Sequence, residues 1–306
     1  MARALRIPQY EVGMYPKNKL EKVQALFSQA FGGRHESLEM LDWQMEKNPC
    51  KKETATTLWD GDILVAYNML TVHPAYLNGE EILSAVSGTT MADEHYPGSS
   101  LQLFTECAKQ YQDIPLVIGF PNHNSYSITV KYLNHYYVGN IAFWVAEAGE
   151  RNVSDKIHEF KEFSSEYEDI SRELSKNHVF IKTRQKDFLN WRFFQKPEYY
   201  YRGFEYEKRG YIVVDIYTEN SEKQLQVVDI IADSDEVMTE LLMYAVNLAY
   251  EWNCKIVKLW LTSSQYKMVL EDAGFIYGEH PFAMTVWQQD LDISKSYITM
   301  VDSDIF

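Results

Sequence analysis

The sequence predicts an α/β (α+β) fold made of two tandem units, residues 1–150 and 151–306. Three observations predict it. Ser84 to Tyr111 reads as a buried strand, a small-residue turn and an amphipathic helix. Around it, strand-length apolar runs alternate with helical periodicity in the order β-α-α-β-β-β-α-β-α-β. An internal repeat is the third: Leu41-Asp42-Trp43 with Pro49 returns as Leu189-Asn190-Trp191 with Pro197, an offset of 148 residues both times. The element order returns with it, which marks two copies of one structural unit.

Residues 1–12 read as a first strand. Leu20, Val23, Leu26, Phe27 and Ala30 define one face of a helix over 17–31, ended by Gly32-Gly33. Ser37 caps a second helix that runs to Lys47 and stops before Pro49. Asp60-Gly61 and Asn78-Gly79 are hairpin signals that separate three strands. In the third of these, Ala85-Val86-Ser87-Gly88-Thr89-Thr90 supplies small and β-branched residues suited to a buried strand. The turn His95-Tyr96-Pro97-Gly98-Ser99-Ser100 follows. Leu101, Phe104, Cys107, Ala108 and Tyr111 then mark a helix face. PLVIGF at 115–120 is a short strand, 125–133 a helix and 138–146 a closing strand. In the second unit, hairpin strands lead to a strand at 225–231, a helix at 237–251, a strand at 255–261, a helix at 265–272 and a last strand near 283–287.

Composition bounds the function. Of 306 residues, 46% are hydrophobic and 24% charged, so the chain can bury a sizeable core. The net charge of -15 argues against nucleic acid or an anionic membrane as the main partner. Cys50, Cys107 and Cys254 have no metal-ligand spacing, and no metal site is expected. The N-terminus lacks an apolar leader core, and no apolar run is long enough to span a bilayer. These features predict a cytoplasmic protein.

A strand, a small-residue turn and a helix aim free backbone N–H groups and a helix dipole at a phosphate. A plain helix cap at Ser99 or Ser100 accounts for the same residues. The whole order resembles the GNAT superfamily of acyl-CoA-dependent N-acyltransferases, over nearly the whole chain as two tandem units. The resemblance implies, in each unit, a mixed, mostly antiparallel sheet flanked by helices. It implies acyl-CoA binding by the fourth strand, Ser87, Gly88, Thr89 and Thr90, and by the turn at Gly98, Ser99 and Ser100. Tyr96-Pro97-Gly98-Ser99-Ser100-Leu101 stands where that family has Tyr-Arg-Gly-x-Gly-Leu, with Pro97 in place of the Arg and Ser100 in place of a Gly.

Phe120-Pro121-Asn122-His123-Asn124-Ser125, followed by Lys131-Tyr132-Leu133-Asn134-His135, is similar to the bacterial polysaccharide-associated members. That likeness implies pantetheine contacts from Asn122 and Asn124, and a general acid at Tyr132 or Tyr126 for the leaving thiolate. In the second unit the turn's counterpart, Asp229-Ile230-Ile231-Ala232-Asp233-Ser234-Asp235-Glu236, has no Gly and carries carboxylates that repel a pyrophosphate. The first unit is therefore expected to bind the cofactor.

Acyl transfer to an amine needs a proton acceptor, because an ammonium cannot attack a thioester. His73 is one candidate, beside a plain edge-strand role. Asp302, Asp304 or the Phe306 carboxylate would be another, if the C-terminal segment docks rather than frays. A backbone N–H near Gly88 or Thr89 would meet the oxyanion. The expected activity is N-acetyl transfer from acetyl-CoA to a small-molecule amine, with an amino sugar first and a cationic aminoglycoside-like amine second. A homodimer is compatible with the sequence. The alternatives are an aminoacyl transferase that builds peptide bridges, and an inactive binding or scaffold protein.

Overall fold

The computed structural model describes residues 9–13, 19–50, 55–141, 143–278 and 282–303. The first half contains β1 (Glu11–Gly13), α1 (Leu20–Ala30), α2 (Leu38–Met45), β2 (Ala55–Asp60), β3 (Ile63–Leu77) and β4 (Glu80–Ala92). It continues with α3 (Ser99–Tyr111), β5 (Leu116–Gly119), α4 (His123–Tyr132) and β6 (His135–Ile141). β7 (Trp144–Glu147) closes the first half, and the second half contains β8 (Ile157–Phe160), α5 (Glu166–Leu174), β9 (Phe180–Lys182) and α6 (Lys186–Leu189), which runs on as a π-helical turn over Asn190–Phe194. Then come β10 (Arg202–Tyr206), β11 (Gly210–Glu219), β12 (Glu222–Ala232), α7 (Asp235–Glu251), β13 (Ile256–Leu259), α8 (Lys267–Asp272), β14 (Ile276–Tyr277) and β15 (Phe282–Trp287).

Local chemistry sets these boundaries. Ser37 caps α2 by accepting the Met40 N–H at 3.1 Å. Asn78 and Gly79 sit at φ 52° and 80°, the left-handed pair that a two-residue hairpin between β3 and β4 requires. In α3, Leu103 rather than Leu101 faces the core: Leu103, Phe104, Cys107 and Tyr111 are buried and Leu101 is exposed. The closing strand expected over 138–146 is two strands, β6 and β7, that enter different sheets.

The two sheets have one order. The first runs β1-β2-β3-β4-β5-β15-β6, and the second, read from its other edge, β8-β10-β11-β12-β13-β7-β14. Each holds one parallel pair, β4 with β5 and β12 with β13. Sheet membership crosses the expected boundary at residue 150. β7, from the first half, pairs with β13 and β14, while β15, from the far end, pairs with β5 and β6. β9 also reaches back to β3. The halves therefore exchange their last strands.

The repeated tryptophans meet at the junction. Trp43 and Trp191 stack at 4.5 Å with their planes 15° apart, and both are buried. Each indole N–H donates to the other's main-chain carbonyl, at 2.9 and 3.0 Å. The segment from Tyr297 to Asp302 packs across β12. The Tyr297 hydroxyl donates to the Ile230 carbonyl at 2.7 Å, and the Thr299 hydroxyl to Asp229 at 2.7 Å. Arg184 lies 3.0 Å from Asp229 and 3.5 Å from Asp302, all three fully buried. Among the described residues no helix is long and apolar enough to cross a membrane.

Candidate active site

β4 and β5 pair in parallel only as far as Ser87 opposite Gly119. β5 ends there, and Phe120-Pro121 turns the chain into α4, while β4 runs on to Ala92 against β3. The divergence opens a cavity of about 560 Å³. Ser87, Gly88, Thr89 and Thr90 line one wall, and Gly119, Phe120, Pro121 and Asn122 line the other.

The wall from β4 carries a β-bulge. Met69 is opposite Gly88 and Asn68 opposite Thr90, so Thr89 is the extra residue in the ladder. Asn68 holds the bulge from behind by donating its side-chain N–H to the Gly88 carbonyl at 3.3 Å and the Thr90 hydroxyl at 2.8 Å. The second unit keeps a bulge, at Val228 between Val227 and Asp229. Its floor is filled by the Arg184–Asp229–Thr299 cluster and by fully buried Trp260 and Tyr297.

The turn after β4 ends at the N-terminus of α3. Gly98 is the N-cap, at φ 86°, so neither Ser99 nor Ser100 caps the helix as expected. Among the described residues no side chain caps that end; the Ser99 N–H donates to the Tyr96 carbonyl at 3.2 Å, and the first turn holds no acidic residue. The turn is clamped: Tyr10 donates its hydroxyl to the Pro97 carbonyl at 3.1 Å, and Gln102 bonds to both backbone groups of Tyr10. α7 differs. Ser234 accepts the Val237 N–H, Asp235 and Glu236 fill its first turn, and Arg209 binds Asp233. Of the two equivalent helix ends, only that of α3 offers uncompensated positive character to an anion.

Three titratable groups on this cavity escape sequence reasoning. His135, on β6, is buried. Its Nδ1 lies 3.1 Å from the Thr285 hydroxyl, which donates to the Gly119 carbonyl at 3.3 Å. That geometry makes Nδ1 the protonated nitrogen and leaves Nε2 an acceptor, buried without a partner among the described residues. Burial lowers the pKa of His135 to about 4. Glu36 is half-buried at the cavity, and burial, then Glu198, raises its pKa. Lys196 is the third: burial and the neighbouring Arg192 lower its pKa to about 6. The one sequence signal is that Lys196 precedes Pro197 where the first copy has Asn48 before Pro49.

The predicted residues divide. Ser87, Gly88, Thr89, Thr90 and Asn122 line the cavity, and Gly98, Ser99 and Ser100 form the N-terminal end of α3, outside its lining. The side chains of Asn124 and Tyr132 and all of Asp304 and Phe306 lie outside the described residues. Tyr126 packs edge-on against Tyr137. His73 is not an edge-strand residue and does not line the cavity. It is buried, with Nδ1 2.9 Å from the Ser84 hydroxyl, and burial with the charges of Lys182 and Arg184 holds it neutral. Asp302 is committed to Arg184 and to the Thr299 N–H rather than presented to the cavity. Among the described residues no His, Cys, Asp or Glu cluster could hold a metal ion.

No protein-family model matches the sequence, and no curated protein matches it. Solved structures do match its fold. A GCN5-related N-acetyltransferase from Kribbella flavida is 13% identical, with TM-score 0.65 over 92% of this chain and 71% of that one. One from Anabaena variabilis is 9% identical, with TM-score 0.68 over 91% and 72%. Saccharomyces cerevisiae N-myristoyltransferase with bound myristoyl-CoA is 11% identical, with TM-score 0.62 over 97% and 87%. The chain has the GNAT fold.

Proposed function

We propose that this chain is an N-acyltransferase of the first unit, using acetyl-CoA or another short acyl-CoA on the amine of a small molecule. The observation that carries it is the pairing of the splayed β4–β5 cavity with the only α3-type helix end left open to an anion. The pyrophosphate would sit on the N–H groups at Gly98–Ser100, where backbone donors and the helix dipole act together. The pantetheine arm would enter between Gly88 and Gly119. There Asn122 would contact it, and His135 Nε2 would accept an amide N–H. An N–H released by the bulge at Thr89 would meet the thioester oxyanion.

Proton handling falls to groups around this point. Glu36, with its raised pKa, suits removal of a proton from the attacking amine. Ser303 lines a smaller cavity of about 50 Å³ that Thr89 also lines. Asp304 is a second candidate base, by the family resemblance. By the family resemblance, Tyr132 on α4 would protonate the departing thiolate. An amino sugar remains the first acceptor, from the Phe120-Pro121-Asn122 likeness. A cationic amine is the second, drawn by the net charge of -15.

Thiol release from acetyl-CoA, measured over amino sugars, aminoglycosides and aliphatic diamines, tests the reading. Release that depends on one amine class and weakens with a long acyl chain is the expected result. A protein that binds CoA but releases no thiol with any amine would be a binding protein instead.

A further inference from the structure

Lys196 occupies the place where the two cavities meet: it lines both, together with Thr89 and Gln44. Its Nζ lies 3.5 Å from the ring centroid of Tyr199 and 5.7 Å from that of Trp43. One N–H donates to the Tyr201 hydroxyl at 3.2 Å. Arg192 opposes its charge, and Glu36 and Asp215 favour it. Burial outweighs both, so near neutral pH the side chain is an amine with a lone pair, not an ammonium. Exposed lysines stay protonated and unreactive at that pH.

We propose that Lys196 is a self-acylation site, taking the acyl group of a bound acyl-CoA onto its own side-chain nitrogen. This rests on the acyl-CoA reading of the β4–β5 cavity. The amine attacks the thioester carbon held at the Thr89 bulge. A carbon–nitrogen bond forms, the carbon–sulfur bond breaks, and the proton shed by the amine leaves with the CoA thiol. Nothing is oxidised or reduced. The product is an amide that lacks the titratable amine and fills the passage between the cavities. It would therefore close the site when acyl-CoA is present without a competing acceptor.

The test uses the full chain, acetyl-CoA alone and peptide mass mapping. One acetyl group on Lys196, in preference to other lysines, is expected. Its rate should rise through about pH 6 and then level off, whereas ordinary lysines gain about tenfold per pH unit up to about 10. Ser100→Glu, which sets a carboxylate where the pyrophosphate would bind, should suppress the mark. Lys196→Arg and Lys196→Met should abolish it, with circular dichroism showing that at least one of them folds. If CoA still raises the melting temperature but acetyl groups scatter over surface lysines, self-acylation is overturned and the acyl-CoA reading stands. If CoA neither shifts melting nor marks the protein, the acyl-CoA reading fails and takes this one with it.

Discussion

Trp43 and Trp191 show how much one residue pair can hold. Each fills a buried place and closes the other's hydrogen bond across the junction. Truncating either to Ala removes a core side chain, at about 3–5 kcal/mol. The double variant should cost less than the sum of the singles, because each single already removes the ring on which its partner stacks. Urea unfolding of the four proteins measures this. His135 gives a pH signature. Its folded pKa, about 4, lies below its ordinary 6.5, so the unfolded chain takes up the proton first. The stability it contributes is full above about pH 6.5 and lost as pH falls towards 4, up to roughly 3 kcal/mol at about 1.4 kcal/mol per pKa unit. His135→Gln should flatten that part of the stability curve. The tryptophans were legible because a repeat prints them twice. His135 and Lys196 were not, because their chemistry comes from burial and neighbours that local spacing does not encode.

Elements were more legible than residues. Hairpin glycines, the Ser37 cap and helical periodicity place most strands and helices within a few positions of where they fall. On the α3 face Phe104, Cys107 and Tyr111 are buried as the periodicity predicts and Leu101 is not, since Leu101 and Leu103 both fit an apolar stripe and only packing chooses between them. The bulge at Thr89 was invisible, because nothing in Gly88-Thr89-Thr90 alone says that β3 skips a residue there. The C-terminal sequence allows either fraying or docking. Through Ser303 it docks, with Ile298, Met300 and Asp302 buried. Deleting residues 304–306 leaves that packing in place. Turnover should then fall by an order of magnitude or more if Asp304 is the base, within the range that loss of a general base removes. CoA affinity should not change. Full activity in the truncated protein would assign the base to Glu36.

At the scale of the whole molecule, the exchange of β7 and β15 was beyond the sequence's reach. Period-two alternation says that a strand has one buried face and is silent about which sheet receives it. The consequence is cooperative: 1–150 alone lacks the strand between β5 and β6. Expressed separately, 1–150 and 151–306 should not fold, while co-expression should restore one cooperative transition by calorimetry. Independent folding of either fragment would contradict the exchange. The same architecture leaves one open helix end and one plugged one, so a single acyl-CoA should bind per chain. Titration calorimetry of CoA into the wild-type and Ser100→Glu proteins tests this most directly. A carboxylate in the first turn of α3 favours the helix by about 0.3–1 kcal/mol in the free protein, yet it repels a pyrophosphate. The expected result is one site in the wild type, and in Ser100→Glu a slightly higher melting temperature with CoA affinity at least about tenfold weaker, near 1.4 kcal/mol. Equal affinity in both proteins, or no binding in either, would contradict a cofactor site at Gly98–Ser100.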